Sequence, residues 1–199
     1  MIAVVDYGMG NLRSVQKAFE YLGFDARITS QKQEMKDASH IVLPGVGAFG
    51  DAICCLEKTG VCETIGAEIS KGKPFLGICL GMQLLFEKSL ENGLHGGLGL
   101  VPGEVVPFPN TVLKVPHMGW NDLAARSNAL FDADGQKFVY FVHSYYAANV
   151  SDEYIIAQAD YGCRFVAAVQ KDNVFGLQFH PEKSGDIGLD MLRRFGGLT

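Results

Sequence analysis

The residues best suited to chemistry lie in Gly77-Ile78-Cys79-Leu80-Gly81. This is the cysteine form of a nucleophile elbow, in which small residues on both sides let a strand turn sharply into a helix. A thiol on such a turn stands clear of the sheet edge at a helix N-terminus. There the positive end of the helix dipole favours the thiolate, the nucleophilic form. Leu80 follows directly, so its amide N–H is the first donor within reach of an oxyanion formed by Cys79 attack. A buried structural cysteine in a glycine-rich turn would use the same residues. The placement decides between them: Pro74–Ile78 is a short apolar run, and the chain from Gly81 has helical spacing, with Met82, Leu85 and Phe86 on one face. That is the setting of covalent catalysis by a cysteine.

A nucleophilic thiol needs a base, and the base needs a group that holds its tautomer. Among His40, His95, His117, His143 and His180, only His180 has an acid at useful spacing. It ends the strand-like run Val174–Phe179 and leads into Pro181-Glu182. Residues i and i+2 of an extended segment face one side, and proline keeps the segment extended. His180 and Glu182 are therefore expected to touch. His40 opens an apolar strand and His95 sits in a glycine loop. His117 and His143 read as structural or substrate-facing. No grouping has metal-ligand spacing, so no metal and no cofactor are expected.

These groups must be positioned by the rest of the chain. Ile2–Val5 reads as a strand, Tyr7-Gly8-Met9-Gly10 as a loop, and Asn11 as the N-cap of a helix carrying Leu12, Val15, Phe19 and Leu22. Gly23 closes that helix. Arg13 stands where the third glycine of a dinucleotide-binding G-x-G-x-x-G belongs, so that reading fails. Asp25–Thr29 and His40–Leu43 are further strands with a short polar helix between them. Pro44-Gly45-Val46-Gly47-Ala48-Phe49-Gly50 then forms a glycine-rich loop at a strand's carboxyl end, followed by helix in pieces to Lys71. The elbow helix is expected to run on until Glu91-Asn92-Gly93. This alternation predicts an α/β fold with an open, mainly parallel sheet and helices on both faces. From Leu98 the pattern becomes β-rich, with turns at Pro102-Gly103, Pro109-Asn110 and Lys171-Asp172-Asn173. Ile187, Leu189, Leu192 and Phe195 suit a closing helix. No linker or repeat interrupts residues 1–199, so one domain is expected.

Composition narrows the function classes. Hydrophobic residues make up 48% and charged residues 20%, as in a globular chain. The net charge is −5 with scattered cations, which argues against nucleic-acid or membrane partners. Five cysteines without disulfide-like or C-x-x-C spacing, and an N-terminus without a basic leader, predict free thiols and a cytoplasmic location.

Gly77–Gln83 with a later His180-Pro181-Glu182 resembles the class I, triad glutamine amidotransferases. More local signatures are similar to the glutaminase subunits of imidazole glycerol phosphate synthases: Asp6–Leu12, Leu43–Phe49, Pro116–Asn121 (P-H-M-G-W-N), His143–Tyr145 and Phe179–Ser184. The resemblance covers almost the whole chain. It implies a flavodoxin-like fold, and Cys79, His180 and Glu182 as the triad hydrolysing L-glutamine through a thioester. It implies an oxyanion site from Leu80 N–H and an amide at Val46 or Gly47. Gln83, Glu91, Ser144 and Tyr145 fall at positions that contact glutamine, and Asn11 and Trp120 in segments that face a partner. That partner is a (βα)8-barrel cyclase, joined as a heterodimer, which uses the ammonia to make imidazole glycerol phosphate and AICAR in histidine biosynthesis. Three readings stay open here: a glutaminase serving another synthase, a triad peptidase or thioesterase, and a regulatory module with a relic site. Gln83 and Glu91 are also readable as plain helix residues, and Trp120 as core.

Overall fold

The computed structural model describes residues 1–109, 113–132 and 134–199. Its first half alternates as the apolar periodicities require: β1 (Ile2–Val5), α1 (Leu12–Tyr21), β2 (Ala26–Thr29), α2 (Lys32–Asp37), β3 (His40–Gly45), α3 (Phe49–Thr59), α4 (Val61–Ser70), β4 (Phe75–Cys79) and α5 (Leu80–Gln83). Gly60, at φ 64, separates α3 from α4. Two short strands, β5 (Lys88–Ser89) and β6 (His95–Gly96), precede β7 (Glu104–Pro107), β8 (His117–Asp122) and β9 (Ala124–Ala125). There follow β10 (Phe138–His143), β11 (Tyr145–Ala148), β12 (Ile155–Asp160), β13 (Arg164–Lys171), β14 (Val174–Leu177), a 3-10 turn at Pro181–Lys183 and α6 (Gly185–Gly196).

The strands β2-β1-β3-β4-β14 lie side by side in parallel, the strand order of flavodoxin-like folds. Beyond β14 the same sheet continues through β13, β11 and β7 with antiparallel pairing. Strands β8 and β10 form a separate antiparallel ribbon, with His117 opposite His143 and Trp120 opposite Tyr140. Strands β1, β3, β4 and β14 are buried on both faces, which is why these segments read as continuous apolar runs, while the edge strand β2 exposes Arg27. Along β1 the pleat sends Ile2 and Val4 into one core with Phe19, Leu192 and Phe195, and Ala3 and Val5 into the other with Met35, Leu56 and Ile65. Helices therefore cover both faces, α1 and α6 on one and α2, α3 and α4 on the other.

Several boundaries differ from the sequence expectation. Strand β3 runs on through Pro44 and Gly45, paired with Ile78 and Cys79, so only Val46–Ala48 remain as loop. The elbow helix stops at Gln83 rather than near Glu91. Its next carbonyls are taken by the returning chain: Leu98 N–H donates to Leu84 O, Gly99 to Phe86 O, and Leu100 and Val101 to Leu85 O. The chain turns back here, and the returning segment satisfies these carbonyls in place of further helical amides. Asn11 occupies the N-cap position of α1 but makes no capping hydrogen bond. Of the turn expected at Pro109-Asn110, Asn110 lies outside the described residues.

Candidate active site

Cys79 ends β4 at φ 56 and ψ −112, a conformation costly for any residue with a Cβ. The turn is enforced by glycines whose missing side chains let backbone approach backbone. A Cβ on Gly81 would lie 1.8 Å from Leu43 O, and one on Gly77 2.5 Å from Gly81 O. A third glycine belongs to the same arrangement: a Cβ on Gly45 would lie 2.7 Å from the Tyr7 hydroxyl and 2.9 Å from Gly81 N. Because α5 is a single turn, it offers its first free amides, Leu80 N–H foremost, rather than a long helix's dipole.

His180 and Glu182 do meet, but by a different backbone route from the extended one expected. His180 is extended, and Pro181–Lys183 then form a 3-10 turn, with Lys183 N–H donating to His180 O and Ser184 N–H to Pro181 O. Proline at the first position of a helical turn is tolerated because its missing N–H has no role there. The turn brings Glu182 Oε1 to 2.8 Å from His180 Nδ1. Asn11 Nδ2 donates to the same oxygen at 3.1 Å, which explains why it does not cap α1. The backbone of His180 is held as firmly: its N–H donates to Tyr140 O, and Ser184 Oγ donates to His180 O at 2.6 Å. With Nδ1–H given to the carboxylate, the buried Nε2 is the ring nitrogen left for Cys79. The neighbouring thiol is that of Cys79, whose Sγ lies 3.8 Å from Val142 O. Burial holds an imidazole pKa down, but Cys79 and Glu182 outweigh it and raise His180 to about 9.

Cys79, Leu80, Gln83, Glu91, Val46, Gly47, Ser144, Tyr145 and His180 share one cavity of about 340 Å³ at the carboxyl ends of the parallel strands. The structure thus brings together every residue expected at the nucleophile, oxyanion and substrate positions. Gln83 is buried, and its Nε2 donates to Tyr145 O (2.9 Å) and Gln178 Oε1 (3.0 Å). Glu91 Oε2 accepts from Phe49 N–H at 2.8 Å, so this wall of the cavity also caps α3 and ties down the end of the Val46–Ala48 loop. Trp120 is 58% exposed and Met118 62% exposed on β8, away from either core. Asn11 points inward to Glu182 instead.

Gln178 escaped the sequence reading, as did the parts that Gly45, Ser184 and Tyr7 play at the site. Gln178 and Ser184 flank the H-P-E motif, and that adjacency was the available signal. Tyr7 carries a buried hydroxyl without a partner, and burial, with Cys55 and Cys79 nearby, pushes its phenol above the usual range. His117 and His143 are buried and bonded to each other, both with pKa values held down by burial, to about 4 and about 3. Among the described residues no cluster of His, Cys and acids could hold a metal ion, and no helix is long and apolar enough to cross a membrane.

A family model for class-I glutamine amidotransferases matches residues 3–196. An imidazole glycerol phosphate synthase subunit HisH from Caldanaerobacter subterraneus subsp. tengcongensis is 53% identical, covering 100% of this chain and 98% of the relative. A protein of the same name from Syntrophotalea carbinolica is 50% identical, with both chains covered completely. Among solved structures, a crystal structure of a glutamine amidotransferase superposes with a TM-score of 0.78 at 19% identity, covering 98% of this chain and 100% of the other, a likeness of fold.

Proposed function

The chain belongs to the class-I glutamine amidotransferase family, and on that premise we propose that it is the glutaminase subunit of an imidazole glycerol phosphate synthase in histidine biosynthesis. Relatives about 50% identical over the whole chain are named imidazole glycerol phosphate synthase subunit HisH. The observation that carries the chemistry is the buried His180–Glu182 pair, 2.8 Å apart, in one cavity with an elbow cysteine. We assign residues 1–199 to one amidotransferase domain, acting in the cytoplasm as a heterodimer with a (βα)8-barrel cyclase.

In this reading the Cys79 sulfur attacks the side-chain amide carbon of L-glutamine, its proton passing to His180. The tetrahedral oxyanion accepts hydrogen bonds from Leu80 N–H and from an amide of Val46 or Gly47. His180, held as imidazolium by Glu182, returns the proton to the departing nitrogen, and ammonia leaves. Neutral His180 then takes a proton from water, which attacks the thioester, and the proton goes back to sulfur as glutamate is released. Glu182 orients His180, and Asn11 steadies the Glu182 carboxylate. The cavity's Gln83, Glu91, Ser144 and Tyr145 bind the amino-acid end of glutamine. Exposed Trp120 and Met118 suit a docking face for the cyclase, since an aromatic anchor is a common interface hot spot.

Steady-state glutamine hydrolysis by the chain alone, with the cyclase, and with the cyclase plus its nucleotide ligand tests the reading. Activity should rise on partner and ligand addition, and Cys79→Ala should abolish it without unfolding the protein. A missing oxyanion donor costs roughly 10²–10³ in turnover, which sets the size of activation if the Val46–Ala48 loop completes the site on docking. Full activity in the free chain, unchanged by partner and ligand, would refute the partner-dependent reading. Cleavage of peptides or unrelated thioesters in place of glutamine would refute the glutaminase one.

A further inference from the structure

The triad leaves a second buried polar system unused. His117 and His143 are 2% and 6% exposed, and face each other across the β8–β10 ribbon with Nδ1 of His117 3.0 Å from Nε2 of His143. His143 Nδ1 lies 2.9 Å from Tyr145 O, and Asn121 Nδ2 lies 3.3 Å from His117 Nε2. One end of this chain decides all of it. A carbonyl only accepts, so His143 must carry its proton on Nδ1 and accept at Nε2. His117 must then donate from Nδ1 and accept at Nε2 from Asn121. Both rings are neutral, and both hold the Nδ1–H tautomer.

The rings cannot turn away from this pattern. His117 is clamped between Phe141 (4.7 Å between centroids, interplanar 24°) and Tyr161 (3.9 Å, 24°), with Phe108 and Phe165 edge-on. At the other end, Tyr145 O accepts from His143 and also from Gln83 Nε2. The second Gln83 Nε2 hydrogen goes to Gln178 Oε1. With both N–H groups committed, Gln83 has only Oε1 left for a ligand in the cavity it lines.

We propose that His117 and His143 are positioning residues for glutamine: a neutral pair of one tautomer that fixes the Tyr145 carbonyl and, through it, turns the Gln83 amide so that Oε1 is offered to a substrate N–H. The proposal rests on the reading that this cavity binds glutamine. The titratable groups around the pair are His180, which acts on His143 electrostatically, and Tyr161, stacked on His117; Asp160 contributes only its backbone carbonyl, to Asn121.

The tautomers are measurable without substrate. Nitrogen-15 histidine spectra of the whole chain should give the Nδ1–H pattern for both residues, and no imidazolium at either near neutral pH. An Nε2–H tautomer or an imidazolium at His143 overturns the proposal. Kinetically, His143→Leu removes one neutral hydrogen bond from Tyr145 O and should raise KM for glutamine about 2- to 12-fold with kcat within about twofold. His143→Asn places an amide N–H near the lost Nδ1–H and should restore most of the KM. An unchanged KM in His143→Leu, or a fall in kcat alone, overturns it. Should His143→Leu not fold, His117→Phe keeps the ring stack, removes the donor to His143, and should move KM the same way. Inactivation of Cys79 by a glutamine-shaped chloroketone should slow in these variants, while reaction with iodoacetamide should not. A wild-type protein that shows no preference for the chloroketone refutes the glutaminase reading instead, and the tautomer result stands apart from it.

Discussion

Replacing Cys79 by glycine and by alanine separates the elbow's backbone conformation from its chemistry. Both variants lack the sulfur, so their difference isolates one methyl group at φ 56 and ψ −112. At an ordinary buried site Ala→Gly costs about 0.5–1 kcal/mol in chain entropy and about 0.8 kcal/mol for the lost methyl burial. A deficit of roughly 1.3–1.8 kcal/mol would therefore be normal. At Cys79 a Cβ is held in a sparsely populated region, which costs about 1–3 kcal/mol that glycine does not bear. Set against each other, the two effects run from about 0.8 kcal/mol against glycine to about 1.7 kcal/mol in its favour. Urea denaturation of the two inactive variants measures the difference directly. Thermal melts should place Cys79→Gly between about 3 °C below and about 7 °C above Cys79→Ala, at about 2–4 °C per kcal/mol for a chain of this size. A Cys79→Gly variant less stable than Cys79→Ala by the ordinary deficit would refute the strained elbow.

Three further outcomes follow from the geometry. His180 is raised to about 9 against an ordinary value of 6.5, so its protonation stabilises the fold fully below about pH 6.5, and this contribution is lost as pH climbs through 9. Stability curves of wild type and His180→Gln between pH 6 and 10 should converge toward the alkaline end; parallel curves would contradict the shift. His180→Ala should lose about 10²–10⁴ in kcat, Glu182→Gln less, and Asn11→Ala less again, since Asn11 only steadies the carboxylate. A larger loss from Asn11→Ala than from Glu182→Gln in the same glutaminase assay would invert the assigned roles. Tyr7→Phe removes a buried hydroxyl that has no partner, and should be at least as stable as wild type in denaturant, whereas deleting a bonded hydroxyl typically costs about 1 kcal/mol.

The reactive residues were readable because their signals are local. An elbow needs glycines within two positions of the nucleophile, and H-P-E places base and acid two residues apart. The strand–helix alternation was readable for the same reason. Errors arose where distant chain competes for a local group. The α5 helix has good helical spacing beyond Gln83, yet it ends there, and the following carbonyls are satisfied by Leu98–Val101 from the returning chain. Asn11 has the chemistry of an N-cap, yet its amide is 3.1 Å from a carboxylate 171 residues away.

The sequence by itself determined the parallel α/β half and singled out the elbow cysteine and the His180–Glu182 pair as candidates, because each rests on periodicity or on spacing of a few residues. Only the tertiary structure decided that Gly45 belongs to the elbow, that Asn11 serves Glu182, and that Glu91 both lines the cavity and caps α3. It alone decided that His117 and His143 share one tautomer. The physical reason is common to all four: a close approach, a buried hydrogen bond or a proton's location depends on which groups the fold brings within about 3 Å, and chain separation carries no information about that.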